Sequence, residues 1–301
     1  MLHRVSFTTF VANKRVTMDR NFRRLVPNGL TMLNLLCGGL ATLVAILSTI
    51  PGGGGAMEYA VYLIFAGAVF DVFDGLSARL LGVPSPMGVQ LDSMADLVTF
   101  GFAPAAIYFS LMSRALGIFG LIAGGSRLLF MLLPLALLLG TAYRLAKFNI
   151  DTRQTYYFIG LASPASALFT CGLALGTVFK DPTKLTGLLT ASPWVLSGII
   201  LLQSYIVWSE IPMFSLKFKR FGLGKLLPHL LLAAIGAPAL YLMHGAGLWV
   251  IMLAYIGISL LTKRIFIEPT EEGERPAATG IEATASGPTE REPGDGPSSE
   301  L

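Results

Sequence analysis

Long apolar runs, each closed by a short group of polar, glycine or proline positions, recur between residues 29 and 262. A helix of about 20 such residues crosses a hydrocarbon layer of roughly 30 Å. The pattern predicts eight spans, at about 29–50, 57–81, 88–112, 127–149, 157–178, 190–209, 226–243 and 246–262. His244 and Gly245 supply a tight turn between the last two. The expected class is an all-α, polytopic membrane helix bundle of about eight transmembrane helices. Two end segments break the pattern. Residues 1–28 interleave Arg4, Lys14, Arg15, Arg20, Arg23 and Arg24 with Phe7, Phe10, Phe22 and Leu25, as expected of an amphipathic segment lying at a cytoplasmic, anionic membrane surface. Residues 265–301 turn to Glu, Pro, Gly, Ser and Thr, a composition that buries no core and predicts a disordered acidic tail. The membrane domain is expected over 29–264.

Composition agrees with the pattern. With 53% hydrophobic and 13% charged residues, the chain is too apolar for an ordinary soluble domain, and no nucleic-acid partner is expected. Cys37 and Cys171 fall inside apolar runs without a CxxC or Cys/His cluster, which reads as packing rather than a disulfide or zinc site. His3, His229 and His244 are scattered at helix ends and termini. At the start of the chain, a cleaved signal peptide conflicts with the long run that follows and lacks a small-x-small exit before Gly52. A transit peptide, or initiation at Met18, is compatible with the same residues.

With the N-terminus inside, sixteen Lys or Arg fall at cytoplasmic ends, against Arg114, Arg127, Lys180 and Lys184 opposite. That bias predicts both termini in the cytoplasm. GxxxG spacing at Gly120/Gly124 and Gly172/Gly176 fits close helix packing and only weakly a homodimer.

One stretch departs from this economy of charge. Outside the tail the chain has nine Asp or Glu residues, and four of them, Asp71, Asp74, Asp92 and Asp96, lie within 26 positions. Asp71 and Asp74 are three apart on span two, and Asp92 and Asp96 four apart on span three, so each pair shares a helix face. The link 82–87, with Pro84 and Pro86, is expected to fold the two helices into an antiparallel pair with the acids facing one another. Four carboxylates in a low-dielectric site need bound cations. Oxygen ligands without His or Cys favour Mg²⁺, Mn²⁺ or Ca²⁺, and four suffice for two ions. Two such ions suit phosphoryl chemistry. Gly75, Ala78 and Gly88 leave helix backbone bare beside the acids, so that a flat ligand can approach. Arg79 adds a cation at the rim, able to meet a phosphate or balance the acids. Intramembrane acids also mark ion conduits, but here they gather near one face instead of being strung across the bilayer.

The stretch resembles the CDP-alcohol phosphotransferase signature at every fixed position: Asp71, Asp74-Gly75, Ala78-Arg79, Gly88, Asp92 and Asp96, with matching intervals. Pro27-Asn28, Thr31 and Asn34 look like that family's motif in the first span. The segments 90–104 (QLDSMADLVTFGFAP), 143–149 (YRLAKFN), 160–164 (GLASP) and 209–219 (SEIPMFSLKFK) look like its phosphatidylserine synthase branch. Lys147 stands where that branch has arginine, and Ala162 where it has proline.

The resemblance implies a six-helix catalytic core and an enzyme in the cell membrane. The expected reaction moves the phosphatidyl group of CDP-diacylglycerol to L-serine, releasing CMP on the cytoplasmic side. It implies that Asp71, Asp74 and Asp92 hold divalent metal with Asp96 sharing the site, and that Asp96, placed toward the entrance, is the general base. Asn28 and Thr31 are expected to meet the nucleotide beside Gly75, Ala78, Arg79 and Gly88. Arg144 or Lys147 is expected to meet the acceptor's carboxylate, though positive-inside bias alone places cations there. Glycerol 3-phosphate or inositol acceptors would leave the acidic signature unchanged, and a divalent-cation transporter is the rival from another class.

Overall fold

The computed structural model describes the backbone of residues 3–50, 56–119, 125–150, 158–179, 181, 183–213 and 223–267. The acidic tail from 268 on, Arg153, Lys217, Lys219, Arg220 and the Gly120/Gly124 pair lie outside the described residues, as do the side chains of residues 1–22.

The protein is an all-α, polytopic membrane helix bundle. Helix α1 runs without a break over His3–Leu47, with Pro27 inside it. It is followed by α2 (Ala56–Leu80), α3 (Pro86–Asp96), a π-helical turn (Leu97–Phe102) and α4 (Ala103–Phe119). Then come α5 (Gly125–Leu132), α6 (Leu135–Ile150), α7 (Ser163–Val178), α8 (Leu185–Ala191), α9 (Pro193–Trp208), α10 (Leu223–Met243) and α11 (Gly247–Ile267). Among the described residues, five helical stretches are long and apolar enough to cross a bilayer, or six if α8 and α9 form one broken span. One of the five, Pro228–Leu261, takes in both α10 and α11. These two fold back at a 3₁₀ turn, His244–Ala246, so that Gly236 lies against Ile251 and Gly247 against the Ala239 backbone.

Prolines set several of the breaks that the apolar pattern does not show. Span four is interrupted at Leu133–Pro134, between α5 and α6. Span six starts later than the expected residue 190, because Pro193 opens α9 and forces the preceding Ser192 into extended backbone. Helix α8 is thereby bent 95° from α9. Span five does not begin at residue 157. Phe158–Ile159 pairs antiparallel with Pro212–Met213, Gly160 turns at φ +75°, and α7 starts at Ser163 with Pro164 in its first turn. This short two-stranded pair is the departure from an otherwise helical fold.

The core is helix-on-helix packing in which small residues such as Ala41, Ala45 and Ala60 alternate with large ones such as Met57, Ile64, Phe100, Ile107 and Leu173. Large apolar side chains such as Leu43, Val72, Leu139, Leu202 and Tyr241 are exposed, as on a surface solvated by lipid. Midway through the bundle Tyr108 of α4 donates to Gln203 Oε1 of α9. Gln203 Nε2 in turn donates to Ser166 O, Ser166 Oγ and Thr170 Oγ1 of α7, at 2.9, 2.7 and 3.1 Å. Gly172 and Gly176 are used for internal contacts: Gly172 lies against the Trp249 backbone and Gly176 against Thr186.

Helix α1 is the wedge that positions the acidic stretch. It packs along α2 and also against α3 and the π turn, whereas α2 and α3 make little backbone contact with each other. The antiparallel pair of α2 and α3 is therefore joined chiefly through α1 and through its facing carboxylates. Glycine permits the close approach. A Cβ on Gly38 would fall 2.7 Å from Thr99 Cα, and one on Gly67 would meet Thr99 Cγ2 at 2.7 Å and Asn34 Oδ1 at 2.9 Å. Thr99 completes the contact by donating to the Asn34 carbonyl at 3.0 Å.

Candidate active site

Helix α2 runs toward Leu80 and α3 runs back from Pro86, so their acids form two layers. Between them Gly82 turns at φ +64°, a conformation that L side chains resist. Ser85 caps α3 by accepting from Gly88 N at 3.0 Å. At 1.5 Å per residue, Asp74 and Asp92 each lie about 9 Å from this link, Asp71 about 13 Å and Asp96 about 15 Å. Asp96 is thus the farthest of the four acids from the link. The order follows from chain direction: α3 leads away from the link, so its last carboxylate lies farthest along it.

Asp71, Asp74 and Asp92 offer ligand oxygens all within 4.8 Å of one another. The Asp71 carboxyl also reaches Asp92 and Asp96. Asp74 is buried at 5% exposure, and its Oδ2 accepts from Thr31 Oγ1 at 2.6 Å. The same hydroxyl donates to the Pro27 carbonyl at 3.0 Å. Asn34 Nδ2 donates to Asp96 Oδ1 at 3.4 Å. Residues 28, 31 and 34 recur at helical spacing, so one face of α1 serves the acids on both neighbouring helices.

The donor set fits a hard divalent cation. Asp92 Oδ1 is buried with no hydrogen-bond partner among the described residues, the mark of an acceptor left for something else. Carboxylates crowded this closely need a positive partner, and among the described residues none of the four is in an ion pair with Lys or Arg. The cluster can therefore hold metal through Asp71, Asp74 and Asp92.

The residues expected around the nucleotide gather at the same end. Asn28 Oδ1 lies 3.6 Å from where a Cβ on Gly88 would be, so α1 and α3 meet there through bare backbone. Arg79 folds along its own helix and donates from Nε to the Gly75 carbonyl at 2.9 Å. Its guanidinium lies over the Gly75 surface. Ala78 is part-buried on the turn between Gly75 and the link. Thr31 stands at the same end, with its hydroxyl on Asp74.

The two candidate acceptor cations separate. Lys147 forms an ion pair with Glu210, a residue that the spacing of the acids did not single out. Arg144 Nη1 donates to Ser163 Oγ at 2.9 Å, and its Nε is buried without a hydrogen-bond partner among the described residues. Arg144 also lies within electrostatic reach of Asp96. Asn149 Nδ2 donates to Ser93 Oγ at 2.8 Å, tying the end of α6 to α3. Asn34 and Ser163 were visible in the sequence as motif members. Thr99 was visible only as part of the 90–104 segment, and Gly38 and Gly67, glycines inside apolar runs, carried no comparable signal.

Comparison with known proteins agrees with this geometry. Residues 24–216 match the family model described as CDP-alcohol phosphatidyltransferase. The chain is 32% identical over 246 residues to the CDP-diacylglycerol--serine O-phosphatidyltransferase of Mycobacterium leprae, covering 77% of this chain and 72% of that one. It is 34% identical over 171 residues to the protein of the same name from Bacillus subtilis, covering 52% and 87%. The corresponding protein of Saccharomyces cerevisiae is 35% identical over 169 residues, covering 52% and 55%. A four-carboxylate cleft wedged open by α1, together with a family match over residues 24–216, makes this chain a member of the CDP-alcohol phosphatidyltransferase family.

Proposed function

We propose that this protein transfers the phosphatidyl group of CDP-diacylglycerol to the hydroxyl of L-serine, giving phosphatidylserine and CMP. The observation that carries the reaction is the juxtaposition of three mutually close carboxylates with Asp96 and a half-buried Arg144. The names of the relatives support serine as acceptor.

Asp71, Asp74 and Asp92 would hold two divalent ions, Mg²⁺ or Mn²⁺, with Asp96 at the margin of the site. Bound there, the ions supply charge neutralisation for the diphosphate and the departing CMP. Thr31 orients Asp74 and Asn34 orients Asp96. Asn28 and the bare surface of Gly75, Ala78 and Gly88 receive the cytidine end, and Arg79 closes over it from the rim. Arg144 binds the serine carboxylate and so brings the hydroxyl to Asp96. Asp96 takes the hydroxyl proton as the serine oxygen bonds to the phosphorus bearing diacylglycerol, and the bond from that phosphorus to the CMP oxygen breaks. Lys147, paired with Glu210, braces the acceptor side instead of binding serine directly.

Residues 29–264 would form the catalytic membrane domain, with 1–28 a cytoplasmic interfacial segment in contact with anionic lipids. The charge bias supports a cell-membrane protein with both termini and the active site on the cytoplasmic side. A homodimer gets no support from Gly172 and Gly176, which are used internally.

Purified protein in micelles with CDP-diacylglycerol and Mn²⁺ tests the assignment, with serine, glycerol 3-phosphate and inositol offered side by side. CMP release that requires serine is the expected result. Release with glycerol 3-phosphate or inositol instead would reassign the acceptor, and metal flux without CMP release would replace the transferase with a transporter.

A further inference from the structure

At the end of the bundle opposite the carboxylates, a cavity of about 490 Å³ opens between α4, the end of α7 and α8. Arg114 on its wall is 18 residues beyond Asp96, about 27 Å along the helix. Leu111, Gly176 and Thr190 line its interior, and Arg114, Asp181 and Lys184 supply its charges. The proposed reaction makes no use of this cavity.

Three observations say what it is built to take. First, its two cations are not paired. Arg114 donates from Nη2 to the Ser48 carbonyl at 3.3 Å, and neither Arg114 nor Lys184 is in an ion pair among the described residues. Second, the acid in the wall is committed elsewhere. Asp181 accepts from Thr183 N and Oγ1 at 2.9 and 2.8 Å and from Thr186 N and Oγ1 at 3.1 and 2.8 Å. Burial raises its pKa, but these donors more than offset that and hold it below the ordinary carboxylate value. The stapled loop then presents Lys184 at φ +58°, a conformation rare for a residue with a side chain. Third, the cavity lies where a membrane surface should be. Helix α8 is bent 95° from α9, Leu185, Leu188 and Trp194 are exposed around it, and Trp194 packs edge-on against Phe130. An exposed Trp at a helix end marks the headgroup level.

We propose that this cavity binds the phosphodiester headgroup of an anionic phospholipid in the leaflet opposite the active site, between Arg114 and Lys184. The lining supplies apolar wall for the glycerol and first acyl carbons, and the two cations outnumber the one, internally satisfied, acid. A free phosphate shares the anion chemistry but has nothing to place against Leu111.

Full-length protein in a neutral detergent is titrated with dioctanoyl phosphatidylglycerol, dioctanoyl phosphatidylcholine and inorganic phosphate, and bound molecules are counted by native mass spectrometry. The expected result is one phosphatidylglycerol site that Arg114→Gln/Lys184→Gln weakens roughly tenfold and Arg114→Lys retains. CMP release from CDP-diacylglycerol in neutral micelles should stay within about twofold of the parent for the double variant. Should that variant fail to fold, Lys184→Gln alone, at an exposed position, should still weaken phosphatidylglycerol several-fold. Equal binding of phosphatidylcholine, an unchanged phosphatidylglycerol count in the variants, or inorganic phosphate binding as tightly as the lipid would each overturn the proposal.

Discussion

Two polar regions lie inside this apolar bundle, and they are built in opposite ways. In the middle, Tyr108, Gln203, Ser166 and Thr170 satisfy one another across α4, α9 and α7. Toward the end of the bundle near the α2–α3 link, the four acids face one another with too few donors, and Asp92 Oδ1 and Asn34 Oδ1 are buried without hydrogen-bond partners among the described residues. The first region is closed and serves as interhelical glue. The second is left open, at a cost that only a ligand offsets. Of these two regions, the satisfied one holds helices together and the unsatisfied one is the candidate site.

Exchanging single side chains tests that division. The largest effect is expected from Asp96→Asn, which should lower CMP release by about 10²–10⁴-fold while leaving thermal stability equal or higher, because one repelling charge is gone. A variant that loses activity only through unfolding would erase the distinction. Thr31→Val should raise the metal concentration needed for half-maximal activity by about 10–100-fold, as loss of an outer partner of a metal ligand does. If the KM for serine moved instead, Thr31 would belong with the substrate. Gly38→Ala places a methyl into Thr99 and should cost about 1–3 kcal/mol by overpacking, read as a lowered Tm of the detergent-solubilised protein. Smallest of all, Gln203→Leu strands the Tyr108 hydroxyl and should cost about 1–2 kcal/mol, with activity of the folded protein within about twofold. Tyr108→Phe added to it should recover part of that loss, and a collapse of activity comparable to Asp96→Asn would show that the central network is not merely glue.

Much of the site was legible because its spacing is local. Acids three and four apart must share a helix face at 3.6 residues per turn, whatever surrounds them. The same holds for Asn28, Thr31 and Asn34 on α1. What pattern reading missed lies between helices. Span five was drawn too early because an apolar Phe158–Ile159 reads like the rest of a helix. Lys147 and Arg144 looked equivalent until Glu210 paired with one of them. The pairing of Thr31 with Asp74, 43 positions away, is likewise a contact between helices.

The sequence alone determined the membrane class, the charge bias across it and the clustering of four carboxylates, since composition, run length and helical periodicity are properties of neighbouring residues. Only the tertiary structure decided that α1 is the wedge between α2 and α3, that Asp71 reaches both Asp92 and Asp96, and that Arg144, without an ion-pair partner among the described residues, lies within electrostatic reach of Asp96 while Lys147 pairs with Glu210. Those outcomes depend on how closely helix backbones approach. Glycines at Gly38 and Gly67 and a single threonine hydroxyl set that distance, through contacts between residues more than thirty positions apart.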